Sequence, residues 1–322
     1  MRRRTKRMGG RRTTIYIIVV GLLLAAHYIY DNFAPDVALA AEPSEEVAPI
    51  EDPSAEAAPR KTTGTQWAEL PAMKRQSDDI YITSHHSGEM RNYTVCYSSE
   101  HHAPLWVAAP RHRAYTGDVK RVDNYDFDPT LPVNIQTRLN RSYGDYTRGH
   151  MLGSAERTAT THMNNQTFYV TNIAPQLRDG FNERGGAWNN LEYFVDRQVC
   201  ADTLYVVTGA IYERFTDSDG TTIEPRTTKN KNDGKQIGVP TAYYKVLLRT
   251  KSGRTGRSVR ECRASELKCA AFIVGHRSAS GRKPSAEDMI PVRELERMTG
   301  IDFFTAVPNA PEKEANPADW GL

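Results

Sequence analysis

From Trp67 onward, six short runs rich in β-branched and aromatic residues recur between clusters of Gly, Asn, Asp and Pro. They are Tyr93 to Tyr97, Leu105 to Ala108, Thr167 to Ile173, Thr203 to Thr208, Ala242 to Leu248 and Ala270 to Val274. Runs of this kind and length predict strands. No regular strand–helix alternation and no fixed-period repeat accompanies them, so an α+β domain with a mainly antiparallel sheet flanked by helices is expected. Two segments carry helical patterning. Ala187 to Val199 sets Trp188, Leu191, Val195 and Val199 at spacings of three and four, one apolar stripe beside Asn189, Asn190, Glu192 and Asp196. After Pro291, Val292, Leu295 and Met298 repeat every three residues and Gly300 is placed to stop the helix.

The N-terminal part is of another kind. Residues 1–33 hold seven Lys or Arg against Asp31, followed by the apolar run Ile15 to Ala26, which predicts a signal peptide or a signal-anchor helix. The apolar core reaches sixteen residues if carried to Tyr30, against the ~20 of a typical spanning helix. The small-residue pattern Ala38-Leu39-Ala40 lies well beyond it, which leans toward an anchor with its basic end inside. Residues 34–65, rich in Ala, Pro and Glu with seven acids against Arg60 and Lys61, predict a flexible linker. Removing both segments leaves 33 basic and 31 acidic residues in 66–322, so the basic balance of the chain belongs mostly to its N-terminus. Net charge therefore gives no argument for nucleic-acid binding, which would need a local basic groove. A domain over 66–310 with a C-terminal tail over 311–322 is expected. Of the four cysteines, none in a C-x-x-C spacing, Cys262 and Cys269 would close a short loop between strand-like runs if the protein is exported; buried free thiols are the alternative.

The chemistry is concentrated between Tyr146 and Glu192. Tyr146-Thr147-Arg148-Gly149-His150 offers a guanidinium suited to phosphate oxygens, a glycine permitting close backbone approach and an imidazole that titrates near neutrality. Alone, such a tripeptide is usually a solvated loop. Downstream, however, follow Asn172-Ile173-Ala174-Pro175-Gln176, Phe181-Asn182 and Gly186-Ala187-Trp188-Asn189-Asn190-Leu191-Glu192. In this order the segments resemble the DNA/RNA non-specific endonuclease family, whose members carry D-R-G-H, N-x-x-P-Q and N-x-G-A-W-x-x-L-E. Further similar segments around Tyr93, Tyr205, Val239 and Ile290 extend the likeness to about 210 residues, nearest in kind to bacterial exported members.

The resemblance implies a ββα-metal (His-Me finger) fold and a Mg²⁺-dependent endonuclease that hydrolyses DNA and RNA without strong sequence preference, leaving 5′-phosphate ends. It implies that His150 is the general base and that Asn182 is the protein ligand of one divalent cation, Mg²⁺ or else Mn²⁺. Glu192 would orient metal-bound water, Arg148 and Arg121 would bind the phosphate, with Lys120 or Arg138 as substitutes for Arg121, and Asn172, Gly149 and Thr147 would support the site. Without the motif, Glu192 reads as a solvated helix carboxylate and Arg148 as a surface ion pair.

Two departures stand out. Thr147 replaces the family's Asp, so loop fixing must pass to its hydroxyl or elsewhere. The connection from Asn182 to Ala187 is longer than the family's, which loosens the register of Asn182 against Asn189 and Asn190. These departures support an alternative, a catalytically impaired nucleic-acid-binding module of the same fold. A different metal hydrolase would need three His or carboxylate ligands at short spacing, and the sequence offers none. His85-His86 and His101-His102 lack helical spacing and neighbouring acids and read as loop surface; Ser154 and Ser278 lie in no G-x-S-x-G elbow, and no P-loop occurs. DNA and RNA are the expected partners, with the membrane added if the N-terminus is uncleaved. A periplasmic or extracellular location follows from the same segment, and oligomeric state is left open.

Overall fold

The computed structural model describes residues 67–322 other than Arg75, Gln76, Ser142 and Arg184; the expected signal or anchor segment and the linker lie outside the described residues. The strands are β1 (Ile80–Ser87), β2 (Met90–Ser98), β3 (Ala103–Arg111), β4 (Thr147–His150), β5 (Ile173–Gln176), β6 (Leu204–Ile211), β7 (Arg226–Lys229), β8 (Gln236–Val239), β9 (Ala242–Thr250), β10 (Leu267–Gly275) and β11 (Met289–Ile290). The helices used below are α1 (Thr161–Gln166), α2 (Ala187–Asp196) and α3 (Val292–Thr299). Seven strands form one antiparallel sheet in the order β11-β10-β9-β6-β3-β2-β1. Outside it stand the antiparallel pairs β4-β5 and β7-β8, together with two shorter two-residue pairs.

Both faces of the sheet are covered, which is why its strands read as near-continuous apolar runs. Alternate residues of β9 divide between two cores. Tyr243 and Leu247 join Val206, Phe272 and the α2 residues Trp188, Leu191 and Val195 on one face. Tyr244, Val246 and Leu248 join Trp106, Val292, Leu295 and Phe303 on the other. The first layer carries β4, β5 and α2, and the second packs α3 as a buttress. α3 ends at Gly300 in the left-handed region (φ 68°), as the sequence predicts. Its apolar repeat is broken at Met298, which is exposed, while Glu296 is buried instead and accepts the Phe303 N–H.

Several expectations change. The segment 311–322 is no detached tail: Trp320 is buried against Phe272, edge to face at 6.0 Å. The helix expected to reach Val199 stops at Asp196, and Val199 is exposed, so the stripe buries only its first three members. All four cysteines are free; Cys262 Sγ turns to the Ser258 carbonyl rather than to Cys269, and Cys96, Cys262 and Cys269 serve as small buried apolar groups. His85 and His86 lie in β1, not on loop surface. His85 is buried and meets the buried Asp128 at 3.0 Å, an acid 43 residues away that local spacing could not reveal.

His276, just beyond β10, ties the sheet to the loop that enters α2. Its Nδ1 donates to the Pro240 carbonyl (2.7 Å) and its Nε2 accepts the Leu177 N–H (2.8 Å). Both ring nitrogens are used by the neutral form; a second proton would face a donor. Burial, the main cause, pushes its pKa down to about 3. The unfolded chain takes up that proton near pH 6.5 and the folded chain does not, so stability is intact above about pH 6.5 and falls as pH drops toward 3, by up to about 1.4 kcal/mol per pH unit. His276→Gln is expected to be less stable at pH 7 and to lack this part of the slope. Urea unfolding of both proteins between pH 7 and 4 checks it; parallel slopes would refute it.

Candidate active site

His150 closes β4, whose register against β5 pairs Thr147 with Gln176, Arg148 with Pro175, Gly149 with Ala174 and His150 with Ile173. A Cβ at Gly149 would overlap the fully buried Gln176 side chain, so only glycine lets the two strands close here. The hairpin's return corner is Asn172. The side chain is fully buried; Nδ2 donates to the carbonyls of Leu152 (2.9 Å) and Thr167 (2.7 Å), and Oδ1 accepts the Leu152 N–H (2.9 Å). This clip fixes the chain directly after His150. It also explains why Thr167 to Ile173 is not a strand. The chain leaves α1, makes a 3₁₀ turn at Val170–Asn172 and extends only from Ile173 to Gln176.

The lengthened connection before α2 folds onto the helix start. Ala187 N–H donates to Gly180 O and Asn189 N–H to Phe181 O, while Asn182 N–H donates back to Leu177 O. Asn189 Oδ1 accepts the Gly185 N–H, and Asn190 Nδ2 donates to the carbonyls of Gly185 and Arg282. The two helix asparagines are thus engaged locally, whereas Asn182 faces the cleft. Its Nδ2 donates to Thr147 Oγ1 (3.3 Å), and that hydroxyl donates to the Gln176 carbonyl (3.0 Å). Thr147 therefore links hairpin and loop without a carboxylate.

The cleft encloses about 450 Å³ and is lined by Arg121, Thr147, Arg148, His150, Asn182 and Glu192, among others, so six of the eight expected residues converge. Gly149 and Asn172 lie behind them as supports. His150 Nε2 is shielded from solvent and has no hydrogen-bond partner among the described residues. The ring meets Phe168 edge to face at 4.9 Å. Burial first, then the positive charge of Arg121, partly offset by Asp123, bring its pKa down to about 3, so the imidazole is neutral. Arg148 stacks over Tyr125 at 3.7 Å and donates to Leu139 O (2.8 Å), leaving other N–H groups available. Arg121 pairs with Asp123 at 2.7 Å, both about half exposed.

Glu192 is not a solvated helix carboxylate. Burial raises its pKa to about 7; Lys245 and Arg111 pull it down, and Glu156 and Asp196 push it up. Lys245 lies beneath on β9, 2% exposed, with Nζ on Thr208 Oγ1 (3.0 Å) and 4.8 Å from the Trp188 ring centre. Arg111 joins the group from the end of β3, pairing with Glu156 at 3.0 Å and Asp196 at 2.7 Å. No sequence motif marked Tyr125, Glu156, Lys245 and Arg111, which join the site only through the fold.

Among the described residues no three His, Cys, Asp or Glu side chains form a metal cluster. Besides the His150 imidazole and the Arg121-paired Asp123, the donors facing the cleft include the Asn182 amide oxygen and the carboxylates of Glu183 and Glu192, hard oxygens that fit Mg²⁺. Asn182 Oδ1 accepts from no described residue, since Thr147 holds the amide by its nitrogen side.

A strand hairpin presenting a neutral histidine, opposed by a loop and crossing helix presenting Asn and Glu, defines a ββα-metal nuclease. The DNA/RNA non-specific endonuclease family matches residues 81–310, and the chain belongs to that family. It is similar to mitochondrial endonuclease G of Homo sapiens, 25% identical over 222 residues, 68% of each chain. Mitochondrial nuclease EXOG of Danio rerio is 28% identical over 67% of this chain and 60% of its own length. Among solved structures, a chain in the crystal structure of the EndoG/EndoGI complex superposes with a TM-score of 0.53 at 25% identity, covering 69% of this chain and 85% of its own.

Asn172→Ala strands three buried backbone groups and is expected to lower stability by roughly 2 kcal/mol. Asn182→Ala, on a half-buried residue with one long side-chain bond, should change it by less than about 0.5 kcal/mol. Chemical denaturation of the two variants distinguishes them; equal losses would contradict the division into support and site.

Proposed function

We propose that the protein is a Mg²⁺-dependent phosphodiesterase that cuts DNA and RNA internally without base preference. The observation that carries the reading is the shielded, unpartnered Nε2 of His150 across one cleft from the Asn182 amide oxygen. His150, neutral in the resting enzyme, accepts the proton of the attacking water; a phosphate bound beside it adds negative charge, which raises its basicity as the reaction needs. Arg148, held flat by Tyr125, and Arg121 take the non-bridging phosphate oxygens, where charge accumulates. Asn182 would hold one Mg²⁺, or Mn²⁺ in its place, which when bound supplies charge neutralisation at the phosphate and leaving group. Glu192 orients the water around that position, with Lys245 and Arg111 helping to keep it ionised. Phosphate contacts carry no sequence information, so indifference to base and sugar follows.

Digestion of plasmid DNA and of RNA by the full chain, with Mg²⁺ or with EDTA, tests the reading. Both substrates should be lost only with metal, and His150→Ala should slow cleavage at least about a hundredfold. A folded wild type that binds DNA but cuts neither substrate would mean the impaired binding module instead.

The basic and apolar N-terminal segment supports export, with the nuclease periplasmic, extracellular or held at the membrane by an uncleaved helix. Fractionation of cells that produce the full chain should find it outside the cytosol; recovery wholly in the cytosolic fraction would refute this.

A further inference from the structure

Beside the cleft stands the β7-β8 hairpin, which the mechanism does not use. Its turn is fastened to the loop 134–141 by side chains from both sides. Asp233 accepts from Thr137 Oγ1 (3.0 Å) and from the Arg138 N–H (2.8 Å), and Asn232 accepts the Arg141 N–H (3.1 Å). Asn230 donates to Arg138 O (2.8 Å), and Lys235 donates to Asn134 O (2.6 Å). The same loop receives the Arg148 guanidinium at Leu139 O, so hairpin, loop and phosphate-binding arginine form one bonded series.

The charge left on this unit is one-sided. Asp233, the hairpin's only acid, is spent on the loop. Arg138, Arg141, Arg226, Lys229 and Lys231 are exposed, and none has an acid partner among the described residues. Asp145 is the single exposed acid between Asn134 and Arg148. Five exposed cations thus stand together on one hairpin and the loop bonded to it.

The hairpin also borders a second cleft, of about 440 Å³, lined by Leu177, Arg226 and His276 together with the segment 221–225. The two clefts meet back to back along the β4-β5 ladder. Thr147 and Arg178 face the active-site cleft, whereas their chain neighbours Tyr146 and Leu177 face the other way, Tyr146 lying 5.7 Å beneath the Arg226 guanidinium and Leu177 lining the second cleft.

We propose that the β7-β8 hairpin and the 134–141 loop form a phosphate-binding track that grips the polynucleotide strand several nucleotides from the bond being cut. The inference rests on the nuclease reading and extends it to substrate length. Cations spaced along a hairpin suit successive phosphates, and the aromatic face of Tyr146 beside Arg226 suits a base or sugar leaving the cleft. Long polymers gain contacts there that a dinucleotide cannot reach.

The test uses the full chain and the triple variant Arg226→Ala/Lys229→Ala/Lys231→Ala, with Arg138→Ala/Arg141→Ala as a second variant. Binding of a duplex several turns long is measured in EDTA over a range of salt, beside turnover with Mg²⁺ of a nitrophenyl ester of thymidine 5′-phosphate. Each lost phosphate contact should remove about 0.9 from the slope of log affinity against log salt, so the triple variant should lose about two to three from the slope and roughly tenfold in affinity at ~0.1 M salt. Turnover of the small ester should stay within about twofold, which also certifies the fold. Unchanged slope and affinity in both variants overturn the track. A wild type that shows the slope yet cleaves nothing sinks the catalytic reading while leaving the track supported.

Discussion

The site depends on one buried amide. Asn172 satisfies three backbone groups at once, and through them the chain leaving His150 is joined to the chain that returns as β5. A polar side chain without solvent contact is tolerable only when its bonds are complete, and complete bonds tolerate little displacement. The imidazole, set against Phe168, is thereby carried on a rigid corner, and its Nε2 can stay free for chemistry.

Around that corner the protein accepts the cost of buried charge. Lys245 emerges from β9 beneath α2, amid Glu156, Glu192, Arg111 and Asp196. Single buried charges would be driven neutral, whereas a group of mixed sign can hold each member's ionisation near a working value. His150 shows the opposite treatment, kept uncharged by burial and by Arg121. Two titratable groups lining one cleft are thus set apart by what surrounds them, the pattern expected of acid–base machinery.

Much of this was legible in the chain. Five of six strand assignments correspond to strands of the main sheet, because strands buried on both faces leave dense β-branched and aromatic runs. The failure at Thr167 to Ile173 has a local cause, since the side chain of Asn172 competes with the ladder for backbone partners. Five of the six expected residues in the cleft sit on adjoining segments, β4, the loop carrying Asn182 and α2, and Arg121 joins them from an upstream loop. Arg111, Tyr125, Glu156 and Lys245 could not be found that way: each comes from a different segment and is defined only by what it touches. The departure at Thr147 likewise became interpretable only with its hydroxyl between Gln176 and Asn182.

The connection entering α2 has a consequence for how such sites vary. Two backbone bonds, Ala187 to Gly180 and Asn189 to Phe181, clasp the chain on either side of the connection that carries Asn182, fixing both of its ends. Gly185, at φ 73°, takes the sharp bend. The clasp behaves as a buckle: strap can be added on the free side without shifting what is fastened. A residue added between Asn182 and Gly185 is then expected to disturb the site less than a side chain at Gly186, which packs against the Phe181 backbone with no room for a Cβ. Chains that share this chemistry can drift apart in length at that point and keep the same active arrangement.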